Sequence, residues 1–352
     1  MTRNKLLPWI SLTALAGLLA WQVIDRYRQP AEETVRLQQT LMGTLWSVQV
    51  WAPESDQAEV RRDIAAALAE VARVEAVMSE WREESPISLL NRSAGGSGYL
   101  VPPELAAIIE RGIEYGRLSG GAFDITWKGM GDLWKLDDGF QAPSQEQIEE
   151  ALSRVDYRLV ELDGHPASAA GPVRIRLPRQ GMALGLGGIA KGYGIDRAAA
   201  VLRKKGYDDF LIEGGGDVLT AGQRAGRPWR VGIQDPRGDD LLGWVEVSGG
   251  AVATSGDYQR FRMVEGVRYH HIIDPRSGRP ARGCRSVTVL APSAEQADAL
   301  ATAIFVLGSR EGMGLAESLD NVEALIVDDE GDIRKSGHFP FAASSRADVL
   351  AE

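Results

Sequence analysis

The spacing of apolar and polar positions changes period several times along the chain, and each change marks an element. From Thr44 to Trp51 the order Leu45, Trp46, Ser47, Val48, Gln49, Val50 predicts a strand. Apolar residues then recur every three or four positions at Val60, Ile64, Leu68, Val71, Val74 and Met78, which predicts a long helix stopping near Trp81. A loop with Pro86 and Asn91 follows, then a helix entered at Pro102 and Pro103 and closed by Gly120 and Gly121. Past a stretch containing Trp127 and Trp134, the pattern predicts a polar helix over 144–153 and short strands over 159–162 and 173–177.

The run over 185–192 reads Gly-Leu-Gly-Gly-Ile-Ala-Lys-Gly and opens a helix reaching about Lys205. Strands are expected over 210–212, 218–221, 229–233, 244–247, 251–254, 269–273 and 286–290, helices over 293–307 and 312–319, and a last strand over 324–327. Helices dominate the first half, and strands adjacent in sequence dominate the second. That segregation predicts an α+β fold with largely antiparallel sheets and flanking helices, not a doubly wound one. No repeat or break in composition divides the region after Leu41, so one domain is expected over 41–345.

The first residues follow a different pattern. From Leu6 to Ile24 there is no charge, and as a helix these residues would extend about 28 Å, close to a bilayer core. Arg3 and Lys5 precede the run, which suggests a cytoplasmic N-terminus and an exported domain. Residues 1–28 are expected to be a signal peptide, with a small-residue site at Ala14-Leu15-Ala16, or an uncleaved membrane anchor. Continuation of the run through Leu18, Leu19, Trp21 and Val23 favours this hydrophobic anchor helix. Residues 29–40 read as a polar linker.

Composition narrows the chemistry. With 39 Lys plus Arg against 49 Asp plus Glu the net charge is −10, which argues against a nucleic-acid partner. The single Cys284 excludes an intramolecular disulfide and a thiolate zinc or iron–sulfur site. Four histidines leave hard oxygen ligands, and an ion such as Mg2+, as the expected pairing for any metal.

Several segments could carry chemistry, each with a bland alternative. Gly185, Gly187 and Ala190 fit a dinucleotide-binding glycine pattern, but the residues before them make a poor strand, and Lys191 is followed by Gly192 instead of the Ser or Thr of a P-loop. Such a loop, with Lys191 in the first helical turn, suits an anion; it also suits close helix packing. Asp298 and Thr302, four apart and flanked by Ala297, Ala299, Ala301 and Ala303, could hold one side of Mg2+ or form an ordinary polar face. Strand alternation sends His270 and His271 to opposite faces, so at most one points at a given site, where it could act as a base beside Asp274; either could equally be a strand-end residue bonded to backbone, and Asp274-Pro275 with Ser277-Gly278 an ordinary turn. Residues 78–81 and 121–124 offer a flavin or adenine pocket, or core packing.

The order and wording of these segments together resemble the ApbE family of FAD:protein FMN transferases. The matching stretches run from Met42-Gly-Thr-Leu-Trp46 through Met78-Ser-Glu-Trp81, Ile87-Ser-Leu-Leu-Asn91 and Gly121-Ala-Phe-Asp124 to Leu186-Gly-Gly-Ile-Ala-Lys-Gly-Tyr193. They continue through Ala253-Thr-Ser-Gly-Asp-Tyr258, His271-Ile-Ile-Asp-Pro-Arg-Ser-Gly278 and Ala297-Asp-Ala-Leu-Ala-Thr302.

The resemblance implies a single ApbE-like, T-fold-like domain that splits FAD and joins FMN through a phosphoester to a Ser or Thr of a partner flavoprotein, releasing AMP. Met42, Trp81, Ala122, Phe123, Asp124, Lys191 and Ile273 would line the FAD site. Asp298, Thr302 and the Gly188 carbonyl would bind Mg2+, and His271 would be the acid–base group. The acceptor would be a subunit of a respiratory or redox complex, and the enzyme would face the periplasm from the bacterial inner membrane. Two positions depart from the family: Gly185 stands where an FAD-contacting Asp is usual, and Ala301 where some members carry a second Asp. An FAD pyrophosphatase and a non-catalytic flavin-binding accessory protein remain the alternative activities.

Overall fold

The computed structural model describes residues 34–52, 56–166 and 171–344. It begins with a hairpin of β1 (Thr34–Leu41) and β2 (Thr44–Trp51), paired from Thr34↔Trp51 to Leu41↔Thr44. The turn is Met42-Gly43, with φ of 49° and 73°, the left-handed pair that matches strand twist in two-residue hairpins. β1 therefore replaces the linker expected over 29–40 from Thr34 onward. Its polar Arg36, Gln38 and Gln39 hide the strand in the sequence, but an edge strand can leave such residues in solvent.

β2 continues into an eight-stranded sheet with β6 (Phe210–Gly214), β7 (Asp217–Ala221), β10 (Gly249–Gly256), β15 (Cys284–Ala291), β16 (Glu323–Asp328) and β17 (Ile333–Lys335). The spatial order is β1-β2-β6-β7-β10-β15-β16-β17, and every neighbouring pair is antiparallel. The α+β expectation with antiparallel sheets is met.

Both faces of this sheet are covered, which explains its near-continuous apolar strands. Phe210, Ile212, Leu219, Ala251, Ala253, Val287 and Val289 face helices α1 (Gln57–Met78), α5 (Ala190–Lys204) and α6 (Ala294–Glu317). The alternate residues Leu211, Val218, Val252, Leu325 and Val327 pack on a smaller sheet of β8 (Trp229–Gln234), β9 (Leu241–Val247) and β18 (Phe341–Ala343). A second apolar cluster joins the end of α1 to α2 (Pro86–Arg92), α3 (Pro103–Leu118) and a sheet of β3 (Tyr99–Val101), β5 (Val173–Arg176) and β4 (Glu161–Asp163).

The structure differs locally from the sequence pattern. α2 occupies the expected loop at Pro86; seven residues are too few to display a helical period, but Ser85 caps it, accepting from Ser88 N over 3.2 Å. The two helices expected after Pro292 form one element, α6, broken at Gly308 with φ 82° and ψ 173°. The strand expected over 269–273 is interrupted: β12 (Val267–His270) pairs with β11 (Phe261–Val264), and β13 (Ile273–Asp274) pairs with β14 (Arg279–Pro280). The polar helix over 144–153 is present as α4 (Gln145–Leu152), closed by a capping box on Ser144. The N-terminal apolar run lies outside the described residues, and among those described no helix is long and apolar enough to cross a membrane.

Candidate active site

Three elements meet at Lys191, in the first turn of α5. Its ammonium is hydrogen-bonded to Asp217, the first residue of β7, and lies 3.3 Å from Asp298 Oδ1 in the second turn of α6. The second oxygen, Asp298 Oδ2, accepts from Gly192 N over 3.1 Å. This requires α5 and α6 to touch: a Cβ on Gly192 would lie 2.2 Å from the Ala294 carbonyl oxygen, so only glycine permits the approach. Asp217 and Asp298 are both buried. Burial and the charge of Asp298 push the Asp217 carboxyl up, while the two carboxylates outweigh the cost of burying Lys191 and hold it above its ordinary value, hence charged.

One helical turn beyond Asp298, Thr302 Oγ1 lies 3.3 Å from Ser255 Oγ on β10. Gly188 passes close by, for a Cβ there would lie 3.2 Å from Thr302 Oγ1 and 3.2 Å from Phe123 Cε2. Asp298, Thr302 and the Gly188 backbone are thus brought together. A carboxylate, a hydroxyl and a loop carbonyl are a hard oxygen donor set that fits Mg2+, an ion that usually retains water and takes substrate phosphate. Among the described residues no group of three His, Cys, Asp or Glu is placed to hold a metal ion by itself.

The two histidines divide as alternation requires. His270 is buried, with Nε2 donating to the Ala281 carbonyl over 2.9 Å and Nδ1 accepting from Ile272 N, so both ring nitrogens are engaged in structure. His271 is solvent-exposed. Its Nδ1 lies 3.3 Å from the Arg260 carbonyl oxygen, which can only accept; Nδ1 therefore carries the proton and Nε2 presents a lone pair. Crowding by protein atoms, and lesser repulsion from Arg260, His270 and Lys191, lowers the His271 pKa.

The residues expected around FAD are placed unevenly. Met42, held at positive φ in the hairpin turn, touches α5: a Cβ on Gly194 would lie 3.3 Å from its Cε. Phe123 borders Gly188, and its chain neighbour Ala122 is buried. Asp124 is the N-cap of the 3-10 turn Ile125–Met130; Oδ1 accepts from Thr126 N and Oγ1 over 2.7 and 2.6 Å, and Oδ2 from Tyr157 N over 3.0 Å. Its carboxylate thus shapes the site wall from behind. Trp81 is 77 % exposed, and Ile273 is half-buried in β13, two residues from His271.

Sequence reasoning missed Asp217, although it directly follows the Gly214-Gly215-Gly216 triplet that turns β6 into β7. It also gave no role to Asn91 and Glu80, which brace the glycine loop. Asn91 exchanges hydrogen bonds with both backbone groups of Leu184 at 2.8 and 2.9 Å, and Glu80 Oε2 accepts from Leu186 N over 3.2 Å. Their positions inside 78–81 and 87–91 were the available signal.

The chain resembles known proteins over most of its length. A family model described as the ApbE family matches residues 42–326. The FAD:protein FMN transferase of Treponema pallidum is 35% identical over 309 residues, covering 84% of this chain and 85% of that protein. The one from Vibrio cholerae serotype O1 is 31% identical over 325 residues, covering 90% and 91%. Among solved structures, the ApbE protein of Thermotoga maritima superposes with a TM-score of 0.78 at 35% identity, covering 87% of this chain and 98% of that one. The flavin transferase ApbE of Vibrio cholerae gives 0.76 at 29% identity, with 88% and 99% covered.

Proposed function

The chain belongs to the ApbE family, and on that premise we propose that it transfers FMN from FAD to a Ser or Thr hydroxyl of a flavoprotein acceptor, forming a phosphoester and releasing AMP. The observation that carries the reading is the convergence of Lys191, Asp298, Thr302 and the Gly188 backbone, with His271 close enough to Lys191 to feel its charge and its Nε2 without a hydrogen-bond partner among the described residues.

In this reaction the acceptor oxygen bonds to the phosphorus of the FMN half, the bond from that phosphorus to the bridging oxygen breaks, and AMP leaves with the bridging oxygen. A neutral hydroxyl is a weak nucleophile, and its proton passes to His271 Nε2 as the new bond forms. Lys191 supplies fixed positive charge beside the pyrophosphate, and the glycine loop allows close backbone approach. Bound by Asp298, Thr302 and the Gly188 carbonyl, Mg2+ would offset charge on the phosphate oxygens. Phe123 and Met42 give the site apolar walls that limit water, the competing nucleophile.

The uncharged run over 6–24 would hold the enzyme on the inner membrane with its catalytic domain in the periplasm. Protease accessibility in spheroplasts checks that placement. For the activity, the protein is incubated with FAD, Mg2+ and a flavoprotein acceptor domain, and the acceptor is weighed by mass spectrometry. An FMN adduct on Ser or Thr is expected; FMN and AMP released with no adduct would instead establish a pyrophosphatase.

A further inference from the structure

Gly185 stands where the ApbE resemblance places an acidic residue on FAD, and its backbone is not what requires glycine, since it is absent from the positions with positive φ. What requires it is Trp127. A Cβ at 185 would lie 2.7 Å from Cε2 and Nε1 of that indole, so the ring fills the volume a side chain would take. Trp127 Nε1 also donates to the Gly185 carbonyl over 3.0 Å, while Gly185 N donates to the Ile125 carbonyl over 2.8 Å. The glycine loop is locked to the turn that carries Trp127.

The next residue, Lys128, places its ammonium 4.2 Å from the centroid of the Trp81 ring and 5.9 Å from that of Trp127. No carboxylate lies within ion-pair distance of it among the described residues. The nearby Glu80 feels its charge but gives its oxygen to Leu186 N. Trp81, 77 % exposed, therefore carries a cation and leaves most of its ring to solvent. An exposed indole beside an unpaired ammonium is half of a stack, and it adjoins the loop that leads through Leu186 and Gly187 to Gly188 and Thr302.

Taking Trp81 as the FAD-lining residue that the resemblance implies, we propose that Trp127 and Lys128, neighbours the resemblance does not name, extend it into a cationic aromatic wall that holds a planar ring of FAD, in the space that leaves position 185 no room for a side chain. The inference rests on the FMN-transfer reading for the identity of its ligand. A carboxylate can only accept hydrogen bonds, whereas an ammonium donates, so this edge of the site recognises ring nitrogens and carbonyl oxygens through Lys128 and the ring face through the indoles. The isoalloxazine and the adenine both offer that chemistry.

The decisive variant is Lys128→Met, because among the described residues the lysine ammonium makes no hydrogen bond or ion pair that holds the fold. FAD binding to the full chain is measured in Mg2+-free buffer by calorimetry and by quenching of tryptophan fluorescence, with FMN and AMP titrated separately. Lys128→Met is expected to weaken FAD by about tenfold. The half-molecule that loses affinity in parallel is the ring on the wall. Gly185→Asp alone is expected to abolish binding through its clash with Trp127, and Trp127→Val combined with Gly185→Asp to recover it. An unchanged FAD affinity in Lys128→Met overturns the wall. Wild-type protein that binds FAD, responds to these variants and transfers no FMN would leave the wall standing and overturn the activity. Wild-type protein that binds no FAD overturns both.

Discussion

Asp217 and Asp298 share one counter-ion, the ammonium of Lys191, although they come from different elements, β7 and α6. Asp217 makes the shorter contact and so shares Lys191 with Asp298, the carboxylate proposed for Mg2+. Asp217→Asn is expected to turn Lys191 wholly toward Asp298, making the cation a stronger competitor for the metal. The Mg2+ concentration for half-maximal FMN transfer should then rise by roughly tenfold. A Mg2+ titration of initial rates checks this, and an unchanged requirement would show that Asp217 only anchors the lysine.

Gly192 controls the same cluster through sterics. Because a Cβ there meets the Ala294 carbonyl at 2.2 Å, Gly192→Ala must push α5 from α6 and lengthen the Gly192 N to Asp298 hydrogen bond. A loss of about 1–3 kcal/mol in stability is expected. Thermal unfolding measures it, and a variant as stable as wild type would show that the helices can separate without cost.

How far this arrangement could be read in the sequence depends on the scale of the pattern. The long period in Val60 to Met78 and the alternation in β2 were legible because each buries one face of many residues. Lys191, Asp298 and Thr302 were legible as candidates because charge among small residues is conspicuous. Asp217 was not, since nothing in local spacing says that the end of a glycine turn will meet a helix start 26 residues earlier in the chain. α2 and β1 were missed for opposite reasons, the first too short to show a period and the second too polar to look buried. The opposite burial of His270 and His271 followed from alternation, but which of them faced solvent required the tertiary structure.

Asp124 separates a positioning role from a contacting one. Both carboxylate oxygens are engaged, with Thr126 and with Tyr157 N, and burial pushes its pKa up, so substitution acts on the turn Ile125–Met130 first. Asp124→Ala is expected to cost about 1–3 kcal/mol in stability by leaving Thr126 N and Tyr157 N unsatisfied. FAD affinity should fall with it, and Asp124→Asn, which keeps one acceptor oxygen, should restore part of both. Chemical denaturation beside FAD titration reads the two effects. Full stability with lost FAD binding in Asp124→Ala would mean that the carboxylate contacts the ligand directly.

As the proposed base, His271 would set the pH dependence. A base works only when unprotonated, and crowding lowers the pKa of this imidazole from the ordinary histidine value near 6.5 to about 4. Lowering the pKa moves the loss of the neutral form to lower pH, so kcat/KM for FMN transfer is expected to stay level from neutral pH down through 6.5, where an ordinary histidine would already be half protonated. His271→Ala should reduce the rate by roughly 10²- to 10⁴-fold, the usual contribution of a positioned base, and remove the histidine-dependent acid limb. FAD affinity in Mg2+-free buffer should change little, since the proposed role of the ring is toward the acceptor hydroxyl and its Nδ1 is tied to the Arg260 carbonyl. The profile is measured with acceptor saturating and FAD varied between pH 4.5 and 8. An acid limb at or above 6.5 that disappears in His271→Ala would show that the imidazole is solvated like a free histidine. Wild-type rates in His271→Ala would show that another group takes the hydroxyl proton.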